Sequence, residues 1–298
     1  MKYYTDQHLD NRSNPEVTLL IVLGAVAALL VLGFIPFAGL VTYPVRLFST
    51  FVHETSHALA ALVTFGDVHG MVVRGDASGT TWVSGGSTFL VGTAGYLGTT
   101  LFGILMLLST RKTNWSRWAL AITGAVVLLV TSLYAGRAAT WPVFVGASLA
   151  LGSIGGGLLL MDKKPLQWAL LGFAVMCCGG TMAYLWATDG LLTWVLGLGS
   201  ASVLLLGGRF LGGDIAKFAA AFLGVSVALN ALHDIAVLAG ISAVLPVAHT
   251  DAKIMASSFG GTPLMWSILW AAIALVAVGG TCAFLVWEAR RFMTRHKS

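Results

Sequence analysis

The residues of this chain best suited to chemistry are His53-Glu54-Thr55-Ser56-His57, a pentad of the form HExxH. Residues four apart on an α-helix lie one above the other, so both imidazoles can reach one metal ion. Glu54 projects beside them, where a carboxylate can act as general base on water. Seven histidines and three glutamates in 298 residues would produce roughly 0.002 such pentads by chance. The pentad therefore predicts a hydrolytic zinc site, with His53 and His57 as ligands, Glu54 as the catalytic residue and one zinc ion per chain.

The alternative is a structural role for the same side chains. Two histidines and a glutamate on one helix can satisfy one another by hydrogen bonds without any metal. Such groups are costly inside a lipid bilayer, so a purely structural use of all three is the weaker interpretation.

The surroundings of the pentad are those of a membrane protein. The chain is 57% hydrophobic and 10% charged, with a mean hydropathy of +0.86, whereas a soluble domain carries about 25% charged residues. The net charge of +5 arises from Lys and Arg at the ends of apolar segments, without interleaved aromatic residues. This pattern indicates a lipid bilayer as the main partner and argues against nucleic-acid binding.

Apolar windows of about 20 residues divide the chain into candidate membrane spans. The windows are 17–40, 43–65, 88–109, 116–136, 139–161, 166–186, 191–208, 216–241 and 263–288. They predict an all-α polytopic membrane protein with about nine transmembrane helices. A polar segment at 1–16 precedes this single transmembrane domain of residues 17–288, and a basic tail follows at 289–298.

The basic residues predict the orientation in the membrane. With nine spans, twelve of the 17 Lys and Arg residues fall on one side. By the positive-inside rule the C-terminus is then cytoplasmic and the N-terminus external, in a bacterial-type plasma membrane.

Residues 67–86 interrupt the apolar windows directly after the pentad helix. Short runs rich in β-branched residues flank a Gly/Asp/Ser cluster at 75–79, which predicts a β-hairpin. An exposed strand edge beside a metal could hold an extended substrate by β-augmentation. A plain surface loop is the alternative, and both interpretations remain open.

A third zinc ligand is expected among ionisable residues in later apolar windows. Asp234 is the best candidate, because an unpaired Asp near mid-membrane costs about 2.5–3.5 kcal/mol and a metal ion would compensate it. Asn230 lies one turn earlier on the same face, where it could orient a ligand or donate to an oxyanion. Asp234 could instead be a structural carboxylate paired with Arg209 or His233. Asp251 is the alternative third ligand, although its position also suits a helix cap or loop.

These features together resemble the site-2-protease family of intramembrane zinc metallopeptidases. The segments Ser78-Gly79-Thr80 and Ala94-Gly95-Tyr96-Leu97-Gly98 look like the branch described as M 50 B-like. The resemblance implies that His53, His57 and Asp234 bind zinc, and that Glu54 activates water. The segment Asn230-Ala-Leu-His-Asp234 departs from the family's late motif, since it lacks both the proline and the glycine found there.

The resulting prediction is an intramembrane zinc metalloendopeptidase that hydrolyses peptide bonds in or near transmembrane segments. Its substrate would be a membrane protein or peptide, as in regulated intramembrane proteolysis, and the oligomeric state stays open. The rival is a non-catalytic metal-binding scaffold or a cation transporter. A transporter should carry ionisable groups at several depths, whereas few besides Glu54 and Asp234 lie deep in the apolar windows.

Overall fold

A computed structural model describes residues 14–35, 37, 39–137, 140–159, 164–244 and 250–296. Most of the predicted polar segment at 1–16 and the last two residues of the basic tail at 289–298 lie outside this described part. The helices and strands are, in chain order, α1 (Pro15–Phe34), α2 (Gly39–Val63), β1 (Asp67–Val73), β2 (Gly79–Ser84), α3 (Thr88–Ser109), α4 (Thr113–Tyr134), α5 (Trp141–Leu159), α6 (Lys164–Ala187), α7 (Leu191–Phe210), α8 (Gly213–Val244), α9 (Asp251–Phe259) and α10 (Pro263–His296).

The predicted fold class is confirmed. Each of the nine apolar windows coincides with one long helix, and the segment after the pentad forms an antiparallel hairpin. Within the described residues, eight helices are long and apolar enough to cross a membrane. The pentad helix α2 is not one of them, because Arg46, the HExxH residues and several Ser and Thr lower its hydropathy.

The beginning of α1 and the end of α10 lie at the same end of the helix bundle. Thr18, in the first turn of α1, donates a hydrogen bond to the Thr110 carbonyl at the end of α3. Arg111, which follows it, pairs with Glu288 near the end of α10, with Nε 3.0 Å from Oε2. The nine-span count places the two termini on opposite sides of the membrane, and it differs from this arrangement in counting α2 as a full crossing.

Glycines bring α3 and α8 into close contact. A β-carbon on Gly103 would lie 2.9 Å from the Gly224 carbonyl oxygen, and one on Gly224 would lie 2.9 Å from the Gly103 carbonyl oxygen. Helices in lipid gain little from the hydrophobic effect between them, so small residues that permit close packing stabilise their association. This crossing fixes α3, which packs against α2, relative to the long helix α8.

The short helix α9 is held against the bundle by its apolar side. Ala252 and Met255 are fully buried and pack with Trp270 of α10 and Ile235 of α8. Thr250 caps the helix by accepting a hydrogen bond from the Lys253 amide. The first residue of α9, which comes late in the chain, is thus brought next to α2.

The hairpin packs against the pentad helix. β1 pairs with β2 from Asp67–Ser84 to Val73–Gly79, with an irregularity between Val68 and Gly70. The other edge of β1 is occupied by the loop after α4, because Met71 and Gly136 exchange two backbone hydrogen bonds. Among the described residues, β2 has no pairing partner besides β1.

Candidate metal centre

Helix α2 brings the two pentad histidines together as the sequence predicts. The Nε2 atoms of His53 and His57 lie 3.1 Å apart, and their rings meet edge to face with centroids 4.8 Å apart. His57 is buried and His53 is half-buried. The helical spacing of four residues is the direct cause of this convergence.

The third member of the cluster is Asp251, the first residue of α9. Its Oδ2 atom lies 3.4 Å from Nε2 of His53 and 3.4 Å from Nε2 of His57. His53, His57 and Asp251 form a group whose potential ligand atoms all lie within 4.8 Å of one another.

The spacing of these three atoms fits a tetrahedral metal site. Zinc binds imidazole nitrogen and carboxylate oxygen at about 2.0–2.2 Å, so adjacent ligand atoms of a tetrahedral site lie about 3.3–3.5 Å apart. The three separations observed here are 3.1, 3.4 and 3.4 Å. Two histidines and one carboxylate are also the protein ligands of several catalytic zinc sites, in which the fourth position stays open.

Groups around the cluster set the direction of its ligands. Nδ1 of His57 donates a hydrogen bond to the Val91 carbonyl at 2.7 Å, which leaves Nε2 with its lone pair for a metal. The ring of Tyr96 packs edge to face on His53, with centroids 4.6 Å apart. Trp270 in turn stacks on Tyr96. These contacts restrict the rotation of both imidazoles.

Glu54 lies next to the cluster but faces the hairpin. Its side chain is buried, with 5% of its surface exposed. The Thr81 hydroxyl of β2 donates a hydrogen bond to its Oε2 atom at 2.7 Å. The predicted base is therefore held at the junction of α2 and β2.

Asp234, the first choice from the sequence for the third ligand, is not part of this cluster. It lies half-buried on α8, and its carboxylate interacts electrostatically with His53, His233 and Arg46. Asn230 is half-buried one turn earlier on the same helix. The proximity of the Asp251 carboxylate to both imidazoles favours Asp251 as the third ligand instead. Asp251 reaches them because α9 folds back into the bundle, and hydropathy does not indicate this arrangement.

Other polar residues near the site were not assigned a role from the sequence. Thr81 contacts Glu54, and the Val91 carbonyl orients His57. A carbonyl has no side-chain signature, and one threonine among many carries no distinguishing pattern. His69 of β1, by contrast, contacts Ser84 of β2 within the hairpin.

The described fold and this cluster define an integral membrane protein with the ligand set of a metallopeptidase. A sequence model of the family described as Peptidase M50B-like matches residues 20–183 and 153–281. The chain therefore belongs to the Peptidase M50B-like family of membrane metallopeptidases, and the resemblance to site-2 proteases is confirmed. No curated protein and no solved structure gave a significant match.

Gly95 of α3 provides a direct test of the cluster. A β-carbon there would overlap Nε2 of both His53 and His57. We expect Gly95→Ala to weaken zinc binding about 10- to 100-fold, the range observed when groups that orient metal ligands are disturbed. Competition titration of the purified protein against a coloured chelator measures this affinity.

The matched control for this substitution is Gly199→Ala in α7. Gly199 is also helical, but a β-carbon there would have no neighbour within 4 Å. Wild-type zinc affinity is expected for this variant. Equal affinities for Gly95→Ala and the wild type would show that the histidines do not bind metal in the arrangement described.

Proposed function

We propose that this protein is an intramembrane zinc metalloendopeptidase whose ion is held by His53, His57 and Asp251. The observation that carries the proposal is the triangle of two imidazole nitrogens and one carboxylate oxygen, with sides of 3.1, 3.4 and 3.4 Å. These separations are close to the edge of a tetrahedral zinc site. Membership of a metallopeptidase family supports the same chemistry.

In this proposal the chain's own residues divide the reaction between them. Zinc, when bound, supplies Lewis acidity that polarises a carbonyl and lowers the pKa of water. Glu54 accepts a proton from the attacking water while the water oxygen forms its bond to the scissile carbonyl carbon. It then delivers this proton to the leaving nitrogen as the C–N bond breaks. Asn230, as an oxyanion donor, remains a prediction.

The hairpin is suited to present an extended substrate to this site. The outer edge of β1 is occupied by Gly136, whereas β2 is only partly buried and contacts the catalytic carboxylate through Thr81. A substrate strand added to β2 would gain backbone hydrogen bonds and lie extended near Glu54. The backbone of an intact helix is hydrogen-bonded within itself and cannot pair with a strand. A transmembrane segment that is locally unwound could pair with β2 in this way.

The substrate class follows from the environment of the site. Eight helices of the described part are long and apolar enough to cross a membrane, which favours membrane proteins or peptides cleaved in or near their transmembrane segments. We include regulated intramembrane proteolysis in a bacterial-type plasma membrane in this proposal. The end of α10 lies at an end of the bundle that also carries the basic residues Arg111, Arg117 and Arg290. By the positive-inside rule these residues support a cytoplasmic C-terminus.

The metal content of the purified protein tests the proposal first. We expect about one zinc ion per chain after a brief chelator wash in detergent, and a loss of most of it in His57→Ala. Elemental analysis by mass spectrometry gives the stoichiometry. A panel of tagged single-span membrane proteins, reconstituted with the chain, then reports cleavage and its loss on full chelation.

The outcomes separate the candidate functions. Zinc binding together with chelator-sensitive fragments supports the peptidase. One zinc ion per chain without any fragment from the panel favours the metal-dependent scaffold. Absence of zinc, with cleavage that chelation does not affect, contradicts the proposed ligand set.

A further inference from the structure

The carboxylate of Glu54 is buried in a polar environment that the hairpin supplies. Only 5% of the residue is exposed, and no Lys or Arg within the described part of the chain forms an ion pair with it. A buried carboxylate without hydrogen bonds is costly. The residues that satisfy it therefore decide where its two oxygens point.

Thr81 supplies this hydrogen bond from β2. Its hydroxyl oxygen lies 2.7 Å from Oε2 of Glu54 and 3.1 Å from the Glu54 backbone carbonyl oxygen. A hydroxyl has one proton, and a bond to an ionised carboxylate is shorter and stronger than one to a neutral carbonyl. We therefore assign the proton to Oε2, so that this hydrogen bond fixes the direction of the carboxylate.

Gly79 makes room for the same carboxylate. A β-carbon at this position would overlap Oε1 and the carboxyl carbon of Glu54. Gly79 and Thr81 are two residues apart on β2, so both lie on the strand face that meets α2. One face of a single strand thus provides both the space and the hydrogen bond for Glu54.

The hairpin is also fastened to α2 before Glu54. Tyr43 donates its hydroxyl hydrogen bond to the Gly75 carbonyl, and Thr50 donates to the Ala77 carbonyl at 2.8 Å. Residues 43, 50 and 54 lie on one side of α2, because intervals of seven and four match whole helical turns. The hairpin therefore contacts α2 from Tyr43 to Glu54 along one side of the helix.

We propose that Thr81 is a positioning residue that orients Glu54 for catalysis, with Gly79 providing the necessary space. The inference rests on the proposed peptidase function. Because the substrate is expected to pair with β2, the strand that holds the substrate also holds the base. Because the substrate and the Glu54 carboxylate are held by the same strand, they are placed accurately relative to each other.

Substitutions at Thr81 and at a distant threonine test this role. We expect Thr81→Val to lower kcat about 10- to 100-fold with a small change in KM, because the carboxylate is misaligned while the binding edge remains. Thr81→Ser keeps the hydroxyl and is expected to recover most of the activity. Thr281→Val is the matched control, since the Thr281 hydroxyl donates to the Ala277 carbonyl within α10 and not to Glu54. All three variants should retain wild-type zinc content.

A second pair of variants tests the space around the carboxylate. Gly79→Ala is expected to lower kcat as Thr81→Val does, because the new methyl group displaces Glu54. Gly75→Ala is its control, since a β-carbon there would lie at an ordinary distance of 3.6 Å from the Tyr43 hydroxyl. Equal activities for the two glycine variants would count against the inference.

A thermal-unfolding cycle provides a readout that does not depend on cleavage. Thr81→Val is expected to lower the Tm of the wild-type chain but to have a smaller effect once Glu54→Ala has removed the carboxylate, since only the backbone carbonyl of residue 54 then remains as an acceptor. Additive changes in Tm for the two substitutions would overturn the inference. A Thr81→Ser variant with the same loss of kcat as Thr81→Val would also overturn it. A zinc-loaded wild type that cleaves nothing would instead overturn the proposed function, while the cycle would still decide whether Thr81 holds Glu54.

Discussion

Replacement of Glu54 by Gln is expected to abolish cleavage while leaving zinc binding intact. Glutamine has nearly the same shape and can still accept the Thr81 hydrogen bond, so the junction of α2 and β2 should be preserved. It cannot take a proton from water at neutral pH. General acid–base catalysis contributes about 10²–10⁴-fold, so a loss of about 10³-fold in kcat is expected.

This prediction requires cleavage and metal content to be measured on the same preparation. The rate of fragment formation from a reconstituted single-span substrate gives kcat, and elemental analysis gives zinc per chain. Thr281→Val serves again as the control, because its hydroxyl bonds within α10 and does not contact the carboxylate. Unchanged cleavage by Glu54→Gln would remove Glu54 from the role of base.

Replacement of Asp251 by Ala is expected to cost most of the bound zinc. The carboxylate is the only anionic member of the group, and its Oδ2 atom lies 3.4 Å from each imidazole nitrogen. Disturbing the outer partners of metal ligands already weakens metal binding by about 10- to 100-fold, so removing a direct ligand should weaken it by more. Competition with a chelator measures this loss.

Asp234→Ala is the matched comparison for this experiment. Asp234 is also a half-buried carboxylate that interacts electrostatically with His53, but it lies outside the His53, His57 and Asp251 group. We expect it to retain zinc with an affinity close to that of the wild type. If Asp234→Ala loses zinc and Asp251→Ala retains it, Asp234 is the third ligand, as the resemblance to the family implies.

The parts of the molecule that depend on local pattern could be predicted from the sequence. The apolar window at 88–109 coincides with α3, and the segment at 67–86 forms the expected hairpin. The pairing of His53 with His57 required only the helical period. In each case the determining interactions span a few residues, so hydropathy and spacing contain the information.

The third member of the cluster could not be predicted in this way. Hydropathy favoured Asp234, because it lies inside a long apolar window, and left Asp251 as the alternative third ligand or a residue of a helix cap or loop. Asp251 reaches the histidines because Met255 packs over Gly92 and against Trp270, which holds α9 within the bundle. Whether the start of α1 and the end of α10 lie on the same side depends on whether α2 crosses the membrane. The length of α2 alone did not indicate this.

The sequence by itself determined the membrane environment, the helices and the two histidines with their neighbouring glutamate, because these follow from interactions between residues close in the chain. Only the tertiary structure brought Asp251 to His53 across 198 positions and placed the Thr81 hydroxyl on Glu54 across 27. Contacts over such distances depend on how whole helices pack, and packing is decided by the shapes of many side chains together.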